Sequence, residues 1–174
     1  MSKQIELAKA IVVFPGTVLG LIPAAILYFT QPLYFFFGLK FPNVLLPAGI
    51  GLILGATGCF FAFQTVYLFL TAGDGTPAPW APPKRFVVAG PYRYVRNPMI
   101  LSVLSLLVTE ACVFGSLAVL IWAGLFWLIN TAYLARVEEP GLLKRFGRDY
   151  EEYKKSVRRW LPRAAPWKQE RPGL

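Results

Sequence analysis

Two polar segments interrupt an otherwise apolar chain, and they carry the side chains that are able to bind a charged ligand. The first is Gly90-Pro-Tyr-Arg-Tyr-Val-Arg-Asn-Pro-Met99, and the second begins at the paired acids Glu138 and Glu139. In the first segment, the Arg96 guanidinium is a planar fork of donors that suits a carboxylate or a phosphate. The residue types therefore predict a site for an anionic group.

The Asn97-Pro98 pair predicts that a helix starts at the end of the first segment. Proline suits the first helical position because its missing N–H would be unpaired there, and asparagine is a favoured N-cap residue. The free N–H groups and the dipole at this end attract anions, and Arg96 adds a full positive charge. The neighbouring cation and aromatic residues are Arg93, Tyr92 and Tyr94. By itself, the segment is equally consistent with arginines that only orient the chain in a membrane and tyrosines that only form an interfacial belt.

The two acids of the second segment have two interpretations. They follow a long apolar run, so they could face Arg96 and the helix start at Pro98. Alternatively, they only complement the dipole of a new helix that Pro140 begins. The sequence leaves both interpretations open.

Composition places both segments in a membrane protein. Of the 174 residues, 56% are hydrophobic, and the mean hydropathy is +0.51. The apolar runs are long enough to span a bilayer, which excludes an ordinary soluble domain. We predict an all-α fold in which residues 1–174 form one domain, a transmembrane helical bundle of about four spans. These spans cover approximately residues 7–30, 44–72, 98–114 and 117–135. Gly16-xxx-Gly20 and Gly51-xxx-Gly55 predict close helix packing in the first two.

A further helix is predicted after the last span. Its apolar residues recur at steps of three and four, which is typical of an amphipathic helix on the cytoplasmic surface. They are Leu142, Leu143, Phe146, Tyr150, Tyr153 and Val157. With four spans, every basic residue except Lys40 lies on one side, so the positive-inside rule predicts that both termini are cytoplasmic. The net charge of +9 is thereby explained without a nucleic-acid partner.

Several kinds of site are disfavoured by the residues that are missing. The sequence has no histidine, and Cys59 and Cys112 fall in different spans, so we predict no metal site and no disulfide framework. Residues 73–83 are rich in glycine and proline and are either a linker or a lid, but they do not form a dinucleotide-binding fingerprint. Glu110 is the lone acid well inside a span, and we interpret it as structural or interfacial.

Both polar segments resemble motifs of one group of enzymes, the isoprenylcysteine carboxyl methyltransferases and the related phospholipid methyltransferases. Residues 90–98 are similar to the group's glycine-x-tyrosine…arginine-histidine-proline motif. The tail is similar to its second motif, with the pattern Glu138-Glu-x-x-Leu142-x-x-x-Phe146-Gly-x-x-Tyr150-x-x-Tyr153-x-x-x-Val157 followed by Arg159 and Pro162. The match is specific because both motifs occur in the right order and at the right spacing.

The resemblance implies an integral membrane enzyme that binds S-adenosyl-L-methionine between its last two spans and the C-terminal helix, within residues 84–162. A helix start suits the carboxylate of this cofactor, a glutamate suits its ribose, and aromatic rings suit its sulfonium. The implied cofactor contacts are Phe86, Val87, Tyr92, Tyr94, Arg96, Asn97, Pro98, Met99, Ile100 and Glu138. The implied catalytic residues are Arg96, Glu138 and Glu139.

The sequence departs from the carboxyl methyltransferase pattern mainly on the acceptor side. Asn97 stands in place of a histidine, Ile100 in place of a tyrosine, and Ser102 in place of a glycine. The position of the substrate-side arginine falls on Leu134, which leaves Arg136 as the candidate substrate-binding residue. Cofactor binding is retained, since asparagine can still cap the helix and donate hydrogen bonds.

Together these observations predict a membrane-embedded methyltransferase that uses S-adenosylmethionine and acts on a membrane lipid or a lipidated acceptor. A carboxylate or thiol acceptor is favoured, because it is already ionised and needs no base in a chain without histidine. One alternative is a phospholipid N-methyltransferase in which a glutamate, a tyrosine or the lipid phosphate takes up a proton. The other is a non-catalytic membrane scaffold that has kept the fold.

Overall fold

The computed structural model describes residues 13–30, 39, 41–72 and 86–168, and the regular structure of these residues is helical. Their helices are α1 (Val13–Thr30), α2 (Leu45–Thr71), α3 (Pro98–Phe114), α4 (Leu117–Tyr133) and α5 (Glu139–Ser156). A 3-10 turn, Gly90–Arg93, precedes α3, and a π-helical segment, Leu134–Glu138, joins α4 to α5. The predicted all-α fold is confirmed for this part of the chain.

Of the described helices, three are long and apolar enough to cross a membrane, which makes this an integral membrane protein. They are α1, α2 and the continuous helix Leu117–Ser156, of which α4 is the apolar part. Helix α3 has the predicted bounds and is apolar, but its 17 residues fall short of the usual length of a span, about 20 residues. Residues 7–12 of the predicted first span lie outside the described residues.

Helices α2 and α3 approach closely because glycines line the face of α2 between them. A Cβ atom on Gly51 would lie 2.8 Å from the Cys112 Cβ, and one on Gly55 would lie 3.0 Å from the Thr109 Cγ2. The Thr109 hydroxyl also donates a 2.8 Å hydrogen bond to the Gly51 carbonyl. The predicted close packing at Gly51-xxx-Gly55 is therefore confirmed, with α3 as the partner helix.

A hydrogen bond between side chain and backbone joins α1 to α4. The Trp122 Nε1 atom donates to the Val18 carbonyl at 3.2 Å. Val18 lies in a π-helical turn, Gly16–Leu21, where a carbonyl accepts from the residue five positions later, as the bond from the Ile22 N–H to the Thr17 carbonyl shows. Five positions after Val18 stands Pro23, which has no N–H. Trp122 therefore supplies the donor that Pro23 lacks, in a region where water cannot do so.

A short turn at Gly115 and Ser116 joins α3 to α4 as an antiparallel hairpin. Gly115 has a φ of 62°, in the left-handed region that favours glycine at a helix end. The Ser116 hydroxyl caps α4 by accepting a 3.3 Å hydrogen bond from the Val119 N–H. Because α3 and α4 each have 17 residues, α4 ends at the level where α3 begins.

Helix α5 buries one face against the stretch before α3. Tyr150, Tyr153 and Val157 are buried there. The side chains that pack around them are Phe86, Val88, Leu142, Phe146 and Trp167. The prediction that Leu143 joins this face is wrong, since its side chain is 43% exposed. Leu142 and Phe146 already occupy the stripe, and the next residue after Leu142 points about 100° away from it.

Candidate functional site

The two polar segments of the sequence meet at the start of α3. The segment after α5, residues 157–168, runs antiparallel to residues 93–96, and we call it the C-terminal strap. Three backbone hydrogen bonds connect the two stretches. They join the Arg96 N–H to the Arg158 carbonyl at 3.0 Å, the Arg163 N–H to the Tyr94 carbonyl at 2.9 Å, and the Trp167 N–H to the Arg93 carbonyl at 2.8 Å.

The turn Gly90–Arg93 is held between α2 and α5. Gly90 has a φ of 51°, in the left-handed region that favours glycine, and a Cβ atom there would make a tight contact, 3.0 Å from the Leu68 Cδ1. The ring of Tyr92 lies 5.5 Å from the ring of Phe69 at the end of α2. The Tyr153 hydroxyl on α5 donates a 2.7 Å hydrogen bond to the Tyr92 carbonyl.

Glu139 is the buried centre of the ion pairs that hold these segments together, with only 4% of its surface exposed. Its Oε1 atom accepts from Arg96 Nη1 at 2.9 Å and from Arg159 Nε at 2.8 Å. Its Oε2 atom lies 2.9 Å from Lys154 Nζ. Because Arg96 precedes α3, Lys154 belongs to α5 and Arg159 to the strap, one carboxylate connects three elements.

The surroundings of Glu139 favour its charged form. Burial raises the pKa of this carboxyl, but the hydrogen bonds from Arg159 and Lys154 and the charges of Arg96 and Arg159 outweigh burial, so the pKa is lowered from its ordinary value. Both carboxylate oxygens are occupied by these cations. Glu139 is therefore an ionised group whose bonding capacity is used within the protein.

Glu138, its neighbour in the sequence, has the opposite environment. It is half-buried, and within the described part of the chain no hydrogen bond or salt bridge engages its carboxylate. Burial and the negative charge of Glu139 raise the pKa of the Glu138 carboxyl. Burial and the charges of Tyr153 and Glu138 likewise raise the pKa of Tyr92 well above its usual range. Glu138 is thus a carboxylate with unused acceptor capacity close to a neutral phenol.

The start of α3 offers donors that no side chain of the described residues satisfies. Asn97 occupies the predicted N-cap position, but its side chain makes no capping hydrogen bond. Its Nδ2 atom instead makes a long, 3.4 Å contact with the Arg159 carbonyl, because the strap passes beside it. Pro98 has no N–H, and the N–H groups of Met99 and Ile100 are too early in the helix to have an intrahelical partner. These groups are available to an anion.

Arg96 contributes one more unused donor. Its Nε atom is buried and has no hydrogen-bond partner among the described residues. The Tyr150 hydroxyl interacts with Arg96 nearby, and burial and the Glu139 charge raise the pKa of Tyr150 to about 12, so it stays neutral. The charge of Glu138 also acts on Tyr150 and raises its pKa. An unpaired buried N–H is costly unless a ligand completes it.

The other predicted site residues lie around this centre in different settings. Phe86 belongs to the aromatic core, with its ring 5.4 Å from the ring of Tyr153. Val87 is half-buried, and Tyr94 is 38% exposed. Pro98 is buried and Met99 and Ile100 are half-buried at the start of α3. Arg136 is exposed on the π-helical segment, where no ion pair joins it to the centre at Glu139.

Two cations of the centre were not predicted from the sequence. The spacing of apolar residues in α5 assigns Lys154 to the polar face of that helix. The resemblance to the second motif assigns Arg159 only to the end of that motif. The excess of basic residues after Arg136 indicates that a buried acid there will find cationic partners. It does not say which cations, because Arg159 is 20 positions from Glu139 in the sequence.

No metal cluster marks the centre within the described part of the chain. Among the described residues, no group of three or more His, Cys, Asp and Glu side chains could hold a metal ion. An open cavity of about 370 Å³ lies beside the turn Gly90–Arg93. Its lining residues are Val88, Ala89, Gly90, Arg93, Trp167 and Lys168, none of which is a predicted cofactor contact.

Comparison with known proteins identifies one family. The sequence profile described as phospholipid methyltransferase matches residues 47–149, which is more than half of the chain. The chain belongs to the phospholipid methyltransferase family. No curated protein and no solved structure matches it.

The match to the phospholipid methyltransferases covers most of the elements that form the centre. It begins in α2, includes α3, α4 and the pair Glu138 and Glu139, and ends within α5. The C-terminal strap lies beyond it. The predicted kinship with the integral membrane methyltransferases is confirmed, and the activity that the family supports is methyl transfer at a membrane.

Proposed function

We propose that this protein is an S-adenosylmethionine-dependent methyltransferase whose cofactor lies at the start of α3 and whose acceptor is lipophilic. The main support is a pair of unused groups beside Glu139. One is the buried Arg96 Nε without a partner, and the other is the half-buried carboxylate of Glu138. Since Glu139 binds Arg96 and adjoins Glu138 in the chain, donor and acceptor lie in one small region.

The residues present fit the chemical groups of S-adenosylmethionine. A carboxylate suits Arg96 Nε together with the free N–H groups of Met99 and Ile100. Ribose hydroxyls are donors that the Glu138 carboxylate can accept, and the ring of Tyr92 suits a sulfonium cation. The remaining predicted contacts would shape the site, and they are Phe86, Val87, Tyr94, Asn97 and Pro98.

The cofactor would supply a methyl group bonded to a positively charged sulfur. As the acceptor atom bonds to the methyl carbon, the carbon–sulfur bond would break and its electron pair would stay on sulfur. The task of the protein is to hold the reacting atoms in line and to keep water away. Arg96 and Glu138 contact the cofactor in this proposal. Glu139, which the resemblance implied as catalytic, is a positioning residue that acts through Arg96 and Arg159.

A carboxylate or thiolate is the acceptor that we favour. Such a group is already ionised, and the chain has no histidine to remove a proton. The outer face of α4 is apolar and exposed at Leu125, Leu128 and Ile129, as expected for a helix in contact with lipid. A lipophilic acceptor can therefore reach the start of α3 from within the bilayer.

Phospholipid N-methylation is the second candidate, and two observations favour it. The family is described as phospholipid methyltransferase. An ammonium acceptor must also lose a proton before its nitrogen can bond to the methyl carbon. Glu138 could take up that proton, since burial and the charge of Glu139 raise its pKa and no described residue engages its carboxylate.

We also propose that α3 crosses the membrane as a fourth span. Its start is bonded to the strap that follows α5, and its far end joins α4 through Gly115 and Ser116. If α4 crosses the bilayer, α3 must therefore cross it too. Its length of about 26 Å, at 1.5 Å per residue, approaches the hydrocarbon thickness of about 30 Å. The basic residues favour a cytoplasmic location for this end of the bundle, which includes α5 and the C-terminus. The charge of the N-terminal residues favours the cytoplasm for the N-terminus as well.

Calorimetric titration tests the cofactor site. S-adenosylmethionine or its demethylated product is titrated into detergent-purified wild type, Glu138→Gln and Glu152→Gln. Glu152 is an exposed acid on α5 that undergoes the same chemical change. We expect micromolar binding to wild type and to Glu152→Gln, and at least tenfold weaker binding to Glu138→Gln, equivalent to about 1.4 kcal/mol. No binding to folded wild type would reject the methyltransferase and favour the non-catalytic scaffold.

Transfer of a labelled methyl group tests the acceptor. The two probes are an isoprenylated cysteine with a free carboxylate and phosphatidylethanolamine. We expect label on the carboxylate, as a base-labile ester. Label on the phospholipid nitrogen would establish the second candidate instead, provided that Glu138→Gln reduces methyl transfer by a larger factor than it reduces cofactor affinity.

A further inference from the structure

Trp160 in the C-terminal strap holds a hydrogen-bond donor that the protein does not use. Its Nε1 atom is buried and has no partner among the described residues. Only two other buried side-chain atoms in this part of the chain share that property, Arg96 Nε and Glu110 Oε2. A buried donor without a partner is unfavourable, so an occupied site is expected to supply an acceptor atom.

The position of Trp160 links the start of α3 to the flank of α4. Its ring lies 6.3 Å from the ring of Trp127. Trp127 is six residues before Tyr133, the end of α4. It therefore lies about 9 Å from that end along the helix axis, on the side towards the bilayer. The preceding residue of the strap, Arg159, binds Glu139 through its side chain and Asn97 through its carbonyl. Trp160 therefore lies between the proposed cofactor site and the membrane.

The residue after Trp160 supports contact with lipid. Leu161 is 62% exposed, whereas Trp160 before it is half-buried. Next to Trp127, which is itself 40% exposed, this leucine extends an apolar surface from α4 onto the strap. This surface is apolar where it is exposed, at Trp127 and Leu161, and its buried donor is the Trp160 N–H. It therefore suits a molecule with a polar head and a hydrocarbon chain.

We propose that Trp160 is a binding residue for the methyl acceptor: its indole N–H donates to an oxygen of the acceptor's polar head, while Trp127 and Leu161 contact the hydrocarbon part. This inference rests on the proposed function, because it places the acceptor next to a cofactor at the start of α3. The acceptor class it indicates is a lipophilic molecule with a carboxylate, ester or phosphate oxygen near its reacting atom.

The test removes the N–H and keeps an aromatic ring. Trp160→Phe is compared with Trp167→Phe, the same change elsewhere in the strap, where the ring packs 5.5 Å from Tyr153 in the core. Binding of the isoprenylated cysteine and of phosphatidylethanolamine is measured by calorimetry in the presence of the demethylated cofactor. Affinity for the demethylated cofactor alone is measured in parallel, and so are KM and kcat for whichever acceptor is methylated.

We expect Trp160→Phe to weaken binding of one acceptor, and to raise its KM, by about tenfold. Cofactor affinity and kcat should stay within twofold of wild type, and Trp167→Phe should leave acceptor binding within twofold. Unchanged acceptor binding in Trp160→Phe, or no binding of either acceptor to wild type, overturns the proposal. A lower melting temperature with unchanged KM would mean that Trp160 binds bulk lipid only. Failure of the proposed function is a different result, since wild type would then not bind the cofactor.

Discussion

The α2–α3 pair and the assembly of the strap on the start of α3 are held together by different forces. Between α2 and α3, the contact consists of glycine backbone against side chains, as at Gly51 and Cys112, with one hydroxyl hydrogen bond from Thr109. At the start of α3, one buried glutamate binds three cations, and three backbone hydrogen bonds fix the strap.

The difference follows from the surroundings of each region, which are lipid for the α2–α3 pair and a polar environment for the strap at the start of α3. In lipid there is no hydrophobic driving force between helices, so close packing of small residues provides the attraction. A charge at the centre of a bilayer is costly, so the ion pairs lie beyond the apolar parts of α3 and α4. At the polar end of the bundle, Glu139 fixes Arg96, while no described residue pairs with Glu138.

The largest expected effect is loss of the Glu139 charge. Glu139→Gln leaves Arg96 and Arg159 beside a neutral group, and their side chains are only 12% and 22% exposed. Removing one member of a buried ion pair typically costs about 3 kcal/mol or more. We expect a loss of this size in the free energy of unfolding, measured by denaturation in mixed micelles.

The control for this change is Glu151→Gln on the same helix. Glu151 pairs with Lys155, but the two side chains are 52% and 73% exposed, so the change should leave the free energy of unfolding nearly unchanged. Equal effects of the two substitutions would show that Glu139 does not hold the strap.

The next effect concerns the steric contact between α2 and α3. Gly51→Leu places a side chain where even a Cβ atom would lie 2.8 Å from Cys112, and overpacking of this kind costs about 1–3 kcal/mol. Gly49→Leu is the matched control, because nothing lies within 4 Å of a Cβ atom there. Thermal unfolding in detergent should show a lower melting temperature for Gly51→Leu only. If Gly49→Leu were equally destabilised, the loss would reflect lipid contact and not the α2–α3 interface.

A smaller effect is expected at the contact between α1 and α4. Trp122→Phe keeps the ring but removes the donor to the Val18 carbonyl, and an interhelical hydrogen bond in a membrane contributes about 1 kcal/mol. Trp127→Phe is the control for the loss of an indole N–H on the same helix. Adding Pro23→Ala should restore stability to Trp122→Phe, since it returns a backbone N–H to the π-helical turn. No recovery would argue against the compensation of Pro23 by Trp122.

The smallest effect, and one of opposite sign, is expected from Glu138→Gln. Burial raises the folded-state pKa of Glu138, so its ionisation disfavours folding as the pH rises above about 4.3, the unfolded value. The pKa of Glu139 is lowered, so its contribution is present above about 4.3 and is lost as the pH falls through the folded-state value. At pH 7, Glu138→Gln should melt slightly higher than wild type, and Glu139→Gln lower. The Glu138 difference should disappear as the pH falls to about 4, whereas the Glu139 difference should shrink only below about 4.3, as the pH falls through its lowered folded-state pKa. Parallel shifts at all pH values would contradict the opposed environments.

Much of the fold could be predicted from local features of the sequence. Pro98 and Gly115 mark the ends of α3 because each residue type suits one end of a helix, and the predicted bounds agree with the structure. The glycines of α2 indicated a close contact, but not that α3 would be the partner. The spacing of the two motifs predicted the family, since their order along the chain is itself the signal.

The candidate site was predictable only in part. Arg96 and Glu139 were both selected from the sequence, and they meet, although 43 positions separate them. Asn97 stands at the predicted N-cap position, but its side chain makes no capping hydrogen bond, and its Nδ2 atom contacts the Arg159 carbonyl of the strap. Lys154 and Arg159 look like ordinary surface cations in the sequence, and only their distance to a buried carboxylate distinguishes them.

The sequence by itself determined the helices, the membrane and the family. Apolar runs, proline and glycine act within a few residues of the chain, so their effects can be read locally. The tertiary structure decided that, among the described residues, Glu139 is fully paired while Glu138 is not, and that Trp160 keeps a buried N–H without a partner there. Adjacent residues of the same type can differ in this way because pairing and burial depend on which distant segments fold against each of them.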